Sequence, residues 1–597
     1  MAFHWDPREQ IRIGRYLFKW TFLASLVGLF AGTASAVFLL SLEFATETRL
    51  EQPWLLYLLP VAGLFIGMIY HYWGKDCEGG NNLILEEIHN PKAGVSGRLA
   101  PLILVSTVAT HLFGGSAGRE GTAVQMGGSL AGWLGRKFGL DAIHTRLLLM
   151  AGISAGFGSV FGTPLAGMIF GLEVLAVGRL RYDALIPCLV ASLVGDWTCS
   201  AWGVHHTHYI VQSVPAIEPI LVAKVMLASL AFALISVLFG ETTHGLHWLF
   251  KRFIAYAPAR PFVGGFILIG LVWLVGTEDY LGLGVPFIVK SFDPAGVATW
   301  AFFWKLLFTA VTLGAGFKGG EVTPLFFIGA ALGCTLGTLL GVPHDFMAAL
   351  GFVAVFAGAA NTPLACTVMG IELFGAQNAV FIAIACCSSY IWSGHRGIYL
   401  SQLVDTPKTG EPIHGMEASL KSVRQQEAPI TMTLRYLVGL VRRIYPGQKP
   451  TLISFNGDSV MTQENRFQVR TVGVIRIYLS KDERMPGLTW RQRIFARPLY
   501  SEIIARAKSA GLWGAAANGM HLGFTYHGKK KVELHPDAGH INTHVFLDLI
   551  GPREQLEAFF EAIRPLLGED RFATYSELEH WGTASAQQKD DLQHKAS

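Results

Sequence analysis

Long apolar runs separated by short polar breaks fill the first two thirds of the chain. The strongly apolar segments fall near residues 20–43, 54–70, 100–113, 145–157, 184–198, 219–240, 262–276, 300–315, 346–357 and 378–393. Several are long enough to cross a bilayer as helices, which takes about 20 residues. Others are too short or too broken by glycine to cross alone. That mixture predicts an α-helical membrane domain with re-entrant segments lining an interior site, since irregular backbone at membrane depth is tolerated only where protein or a cavity satisfies it.

The pattern changes after about residue 405. Residues 406–467 read as a linker, with Pro412 to Glu427 rich in Pro, Lys, Glu and Gln. Beyond it a period of two appears at Thr471 to Leu479, a strand. An amphipathic helix over Pro498 to Ala510 comes next, then strands at Trp513 to Asn518 and Thr543 to Ile550. A helix over Arg553 to Leu567 and a last strand at Phe572 to Tyr575 complete the series. The order β-α-β-β-α-β is the ferredoxin-like pattern, an α+β domain over 468–580. Its long segment Gly519 to Asn542 is basic and rich in Gly and His, and loops of that length are usually functional or disordered. His535, His540 and His544 lie in or beside it, but their spacing fits no common metal site. Residues 581–597 are polar and expected to be disordered.

At the other end, residues 1–19 interleave Trp5, Ile11, Ile13 and Tyr16 with Arg8, Arg12, Arg15 and Lys19. A short helix at the membrane surface is expected there, either an anchor or an ordinary solvated helix. The basic residues favour a cytoplasmic N-terminus.

Composition narrows the function. Of 597 residues, 51% are hydrophobic and 15% charged, a membrane balance, and a net charge of +4 is too small to suggest a nucleic-acid surface. The seven cysteines all lie in the membrane half, in neither a zinc nor a disulfide spacing, and read as small packing residues. No nucleophile, metal cluster or phosphate loop appears with its partners, so neither an enzyme nor a cofactor is expected.

The candidate chemistry sits in Gly115-Ser116-Ala117-Gly118-Arg119-Glu120-Gly121-Thr122, a glycine-rich turn carrying charges between apolar runs. A charge at such depth is costly and by default functional. The turn opens a helix, so the N–H groups near Glu120 and Gly121 are placed to cradle an anion. The turn recurs 201 residues later as Gly316-Phe317-Lys318-Gly319-Gly320-Glu321-Val322-Thr323. A second echo, Gly162-Thr163-Pro164-Leu165-Ala166 with Glu173, returns offset by 199 as Asn361-Thr362-Pro363-Leu364-Ala365 with Glu372. Two blocks repeated in the same order suggest a transporter of two repeats whose broken helices aim their ends at a central ion. Glycine for close helix packing is the plainer reading of most other glycines, but it does not explain a glutamate at the same place twice. Asn81, after Gly79 and Gly80, is either a simple helix cap or an amide aimed at the same centre. Tyr399 is either an interfacial belt residue or a phenol facing a pore.

These motifs resemble the CLC family of chloride channels and anion/proton exchangers over residues 20–405. They are Gly-Arg-Glu-Gly at 118–121, Gly-Gly-x-x-x-Pro at 319–324 and the Pro-Leu-Ala block at 164–166. The resemblance implies two inverted repeats with re-entrant helices, a homodimer, Glu120 as a gate that swings away on protonation, and Tyr399 as an inner-gate tyrosine. It further implies that the backbone N–H groups of Glu321 and Val322 line the central site. Asn81-Asn82 stands where chloride-selective members carry a Ser-Gly turn, and Val322-Thr323-Pro324, with Glu321 before it, stands where they carry Phe-Ala-Pro. These substitutions resemble the fluoride-exporting branch. Val174 follows Glu173 where chloride/proton exchangers often carry a second glutamate, which leaves Glu321 as the candidate substitute.

The resemblance thus implies a fluoride/proton antiporter in a bacterial inner membrane. Fluoride and protons are its partners, its anion site is Asn81, Glu120, Gly121, Glu321, Val322, Thr323 and Tyr399, and Glu120 and Glu321 are its proton-coupling pair. A chloride or nitrate exchanger, or a passive channel, is the alternative, and a signal-coupled receptor a third reading. The C-terminal domain resembles PII-type signal sensors at Ile477-Tyr478-Leu479, Pro498-Leu499-Tyr500 and Gly511-Leu512-Trp513-Gly514-Ala515. That implies a trimer-prone cytoplasmic regulatory module able to bind a nucleotide or other small ligand, a symmetry that differs from the dimer implied for the membrane half.

Overall fold

The computed structural model describes residues 7–91, 94–207, 209–409, 419–426, 468–480, 486, 499–519, 522–523, 532–533, 544–567 and 573–582. Trp5, His535, His540 and the tail beyond Gly582 lie outside them, as does most of the linker; Trp581 and Gly582, expected in the tail, belong to a strand. The chain divides into two compact units, Met1–Pro446 and Gly447–Ser597.

Among the described residues, the principal helices of the first unit come in two series. The first runs α1 (Pro7–Glu51), α2 (Leu59–Trp73), α3 (Asn81–His89), α4 (Leu99–Leu112), α5 (Glu120–Lys137), α6 (Ala142–Phe161), α7 (Pro164–Glu173) and α8 (Leu185–Ala201). The second runs α9 (Pro219–Phe253), α10 (Ala259–Val275), α11 (Val285–Lys290), α12 (Ala301–Ala315), α13 (Val322–Leu340), α14 (His344–Ala360), α15 (Pro363–Phe374) and α16 (Ala379–Trp392). Long and short helices follow in nearly the same order in both, so the duplication extends well beyond the two motifs that announce it. Helices α1, α6, α9 and α13 are among six stretches long and apolar enough to cross a membrane. Helix α7 is not: ten residues rise about 15 Å, half of a hydrocarbon core of about 30 Å.

The second repeated block is one turn used twice. Gly162 ends α6 in the left-handed conformation at φ 68°, and Asn361 ends α14 the same way at φ 57°. Asparagine is among the few other residues that tolerate that region. Pro164 and Pro363 then start α7 and α15, where a missing N–H costs nothing. Glycine brings the flanking helices together. A Cβ on Gly127 of α5 would run into the carbonyl oxygen of Gly152 on α6, and a Cβ on Gly329 of α13 into that of Gly351 on α14. Aromatic rings fill the space around these contacts: Phe157 stacks on Phe170 at 4.3 Å and Phe326 on Phe352 at 4.0 Å.

Two expectations change. The basic N-terminal stretch is not a separate surface helix, because α1 runs unbroken from Pro7 to Glu51. Gly14 is the only breaker near the proposed boundary, and one glycine costs only about 1 kcal/mol within a long helix. Nor is the stretch after residue 405 wholly irregular. Residues Leu420–Gln426 form α17, whose Leu420 and Val423 pack on Val177 and Val404. Beneath them Ala176–Val177 (β1) pairs in parallel with Leu403–Val404 (β2). Glu241 of α9 ties this strap down, accepting from Arg396 at 2.9 Å and from Arg424 at 2.7 Å.

In the second unit, β3 (Gln468–Ser480), α18 (Leu499–Ser509), β4 (Gly514–Gly519), β5 (Leu522–Gly523), β6 (Val532–Glu533), β7 (His544–Gly551), α19 (Arg553–Leu567) and β8 (Ala573–Gly582) follow in turn. The main sheet has the order β4-β7-β3-β8 with every pairing antiparallel. Ile475, Ile477, Leu547 and Leu549 meet Ile503 of α18 and Leu556 and Ile563 of α19 in its core. Strand β8 runs well past Tyr575, pairing with β3 as far as Gly582. Its Ser576-Glu577-Leu578-Glu579 run lacks the apolar content that marks a strand in sequence.

Gly329→Ala is expected to destabilise the first unit by about 1–3 kcal/mol, the usual cost of overpacking. Gly270→Ala, where an added Cβ meets nothing within 4 Å, should leave it unchanged. Thermal unfolding of the two variants in detergent checks this.

Candidate functional site

The two glycine-rich turns meet at the centre of the first unit. Gly118 N donates to Gly320 O at 2.7 Å, and Gly320 N donates back to Gly118 O at 2.8 Å. Side chains would obstruct this pairing. A Cβ on Gly118 would stand 2.9 Å from Pro324 Cδ, and one on Gly320 would stand 2.7 Å from Gly121 N. The bridge holds the N-termini of α5 and α13 against one another, each with backbone N–H groups that lack helical partners.

Glu120, fully buried, uses one of those ends. Its Oε2 accepts from Thr323 N at 3.0 Å and from Arg119 N at 3.2 Å. Thr323 Oγ1 donates into the same carboxylate, lying 2.7 and 2.6 Å from its two oxygens. Arg119 Nε stands 3.4 Å from Oε1. A carboxylate of the first repeat therefore occupies the N-terminal turn of the second repeat's helix, where an anion is favoured.

Beside it is a pocket of unmatched polarity. An added Cβ on Gly121 would meet Asn81 Nδ2 at 3.1 Å and Glu321 Oε2 at 3.4 Å, so both groups face that glycine. Asn81 Oδ1 and Glu321 Oε2 are buried without a hydrogen-bond partner. Buried polar atoms left so are uncommon and call for an explanation. Val322 is the first residue of α13. Tyr399 is 4% exposed and lies within electrostatic range of both Glu321 and Glu120. The structure thus brings Asn81, Glu120, Gly121, Glu321 and Thr323 together, with Val322 at the adjoining helix start and Tyr399 within electrostatic range. Among the described residues no cluster of His, Cys, Asp and Glu is arranged to hold a metal.

Two cavities approach this point from opposite faces. One, of about 270 Å³, reaches Arg119 and is lined by Glu43, Glu47, His205 and His206. The other, of about 650 Å³, reaches Leu400 and Ser401 beside Tyr399. It belongs to the face on which α1 begins. Arg136 near the end of α5 lines it, and His144, just beyond at the start of α6, stacks on Trp20 of α1.

Three contributors had no role assigned from sequence, although Glu173 and Glu372 were noted there as part of the repeated block. Glu173 closes α7 and accepts from Leu364 N at 3.0 Å and Ala365 N at 2.8 Å, the first turn of α15. Glu372 of α15 accepts in return from Leu165 N at 2.9 Å and Ala166 N at 2.8 Å, the first turn of α7. The two short helices are therefore antiparallel, each capped by the other repeat. The available signal was a glutamate at the same distance from each Thr-Pro-Leu-Ala block. Lys305 is fully buried and donates to Gly282 O at 2.7 Å and Tyr280 O at 3.1 Å, while Gly282 N donates to Gly115 O at 3.2 Å. It braces the first turn from behind, and its lone charge within the apolar run 300–315 is its only mark in the sequence.

The family model "Voltage gated chloride channel" matches residues 62–394. A chloride/fluoride channel protein of Pseudomonas syringae pv. tomato is 53% identical over 426 residues, which are 70% of this chain and 94% of that protein. The H(+)/Cl(-) exchange transporter ClcA of Vibrio vulnificus is 24% identical over 393 residues, 59% of this chain and 81% of the other. Among solved structures, the crystal structure of a CLC-type fluoride/proton antiporter aligns with a TM-score of 0.63 at 33% identity. It covers 65% of this chain and 98% of that one.

Glu173→Ala would leave two buried N–H groups at the start of α15 without acceptors. At roughly 1–3 kcal/mol per orphaned group, the loss is expected to reach about 2–5 kcal/mol, read as a fall in the unfolding midpoint in detergent.

Proposed function

This chain belongs to the CLC family of voltage gated chloride channels, and from that we propose that it is a fluoride/proton antiporter that exports fluoride from the cytoplasm. As a member it is a multi-pass membrane protein that moves a small anion, fluoride or chloride, as an antiporter or channel, and is not an enzyme. The observation that carries the finer reading is the Glu120 carboxylate seated on Thr323 N and Thr323 Oγ1. A carboxylate there competes with any anion for the same donors. Protonation cancels its charge and weakens its hold, the side chain leaves, and an anion takes the vacated N–H groups. Anion binding and proton uptake are linked because one position serves both.

Fluoride is small and strongly hydrated, so a site selective for it must return several strong donors at short range. Asn81 Nδ2, Thr323 Oγ1 and the free N–H groups of Gly121 and Val322 are such donors. Glu321 faces the same space, and a charged carboxylate there would repel the anion. In this reading Glu321 carries a proton while the anion is bound, and Glu120 and Glu321 together couple the two ions. Tyr399 closes the inner side. The protein works as a homodimer in the bacterial inner membrane with its second unit in the cytoplasm. That unit is a PII-like regulatory module for a nucleotide or other small ligand.

Two measurements on purified protein in liposomes test this. A fluoride gradient should drive proton movement in the unaltered chain, and Glu120→Gln should abolish that movement. Undiminished proton uptake in the variant would reject the role of Glu120. Chloride efflux as fast as fluoride would assign instead the chloride or nitrate exchanger. Asn81→Ser should lower the fluoride-to-chloride rate ratio at least about tenfold, since one hydrogen bond to a charged group is worth roughly 1.5–3 kcal/mol. An ion-selective electrode reads both.

A further inference from the structure

Glu120 is fully buried and Glu321 Oε2 is enclosed, so a proton carried by either must be handed to water elsewhere. The larger cavity offers the place. Asp76, Glu86, Glu87, His89, Arg136 and Lys421 bring charge or titratable groups to its walls. Three carboxylates against two permanent cations are a poor lining for an anion funnel but a suitable one for collecting protons.

One of those carboxylates is joined to the central site. Ser401 Oγ donates to Glu86 Oε1 at 2.7 Å, and Ser401 N donates to Asn82 Oδ1 at 3.0 Å. Asn82 adjoins Asn81, whose amide, like the Glu321 carboxyl, faces Gly121, and Ser401 lies two residues beyond Tyr399. Helix α3 therefore begins at the central site, and Glu86, five residues on, lies about 7.5 Å further along its axis in the cavity. Three of the other charged groups there have partners of their own. Glu87 Oε1 accepts from Gly94 N at 3.0 Å, Arg136 donates to Val95 O at 2.7 Å, and His89 Nε2 bonds Leu175 O at 3.0 Å. Asp76 comes from the turn before α3, and Lys421 from α17.

We propose that Glu86 is the group through which the coupled proton passes between the central carboxylates and water on the α1 face, with Ser401 as its positioning residue. The proposal rests on the proton-coupled reading above. The proton leaves a carboxyl of the central pair through water, binds a Glu86 oxygen, and departs to water in the cavity. Only O–H bonds form and break, and Glu86 returns to the carboxylate.

The test uses the full chain in liposomes, with protons and fluoride counted together. Glu86→Gln is expected to lower the protons moved per fluoride at least about tenfold, and Glu86→Asp to restore more than half of the ratio. Glu87→Gln, in the same cavity but bound to Gly94 N, should keep the ratio. Glu86 is exposed, so the unfolding midpoint of its variants should match that of the parent. A Glu86→Gln protein that slows both ions equally at an unchanged ratio overturns the proposal, as does one with the parent's rate and ratio. Absence of proton movement in the unaltered chain removes the antiport reading and this proposal together, whereas coupling that survives Glu86→Gln removes this proposal alone.

Discussion

Two backbone hydrogen bonds between Gly118 and Gly320 are the constraint on which the rest of the membrane unit depends. They join the duplicated turns to each other rather than to neighbouring structure, so the N-termini of α5 and α13 share one small volume. The consequence is chemical. Thr323 belongs to the second repeat and Glu120 to the first, and they meet only because that bridge sets the distance. In a low-dielectric interior such contacts are strong, and breaking them leaves buried groups unpaired. Every glycine in the contact serves to keep side chains out of it.

Around that bridge the frame is built by exchange. Glu173 caps α15 and Glu372 caps α7, in each case through two adjacent N–H groups. A carboxylate deep in a membrane protein is expensive, but here each one meets the positive end of a helix dipole and two donors. Helices too short to span can therefore stay at membrane depth, with their ends satisfied by the other repeat instead of by water.

The parts legible in the sequence were those fixed by short-range stereochemistry. Glycine turns, a Thr-Pro helix start and a repeated glutamate have local causes, so Gly115–Thr122 and its copy could be read directly as a paired site. The remainder of the repeat was not readable, because α1 and α9, or α2 and α10, share only length and greasiness. The N-terminal boundary was misplaced for a related reason: a change from basic to apolar residues alters where a helix sits, not whether it continues through Lys19 and Trp20. Glu86 and Ser401 are 315 residues apart, and no periodicity connects them. Lys305 lay hidden inside an apolar run whose only signal was the charge itself. In the second unit the amphipathic pattern placed both helices within a residue or two, while the end of β8 escaped notice because its residues are polar.

The crossed caps also bear on how the polypeptide is made. Ala166 N finds its acceptor 206 residues further along the chain, on Glu372. While the ribosome is still synthesising α9, the start of α7 has no native acceptor, and the first repeat waits in the bilayer half-closed. Completion comes only when α15 is inserted beside it in the opposite direction. The native frame is therefore complete only once both halves are in the bilayer, because neither short helix has its acceptor within its own repeat.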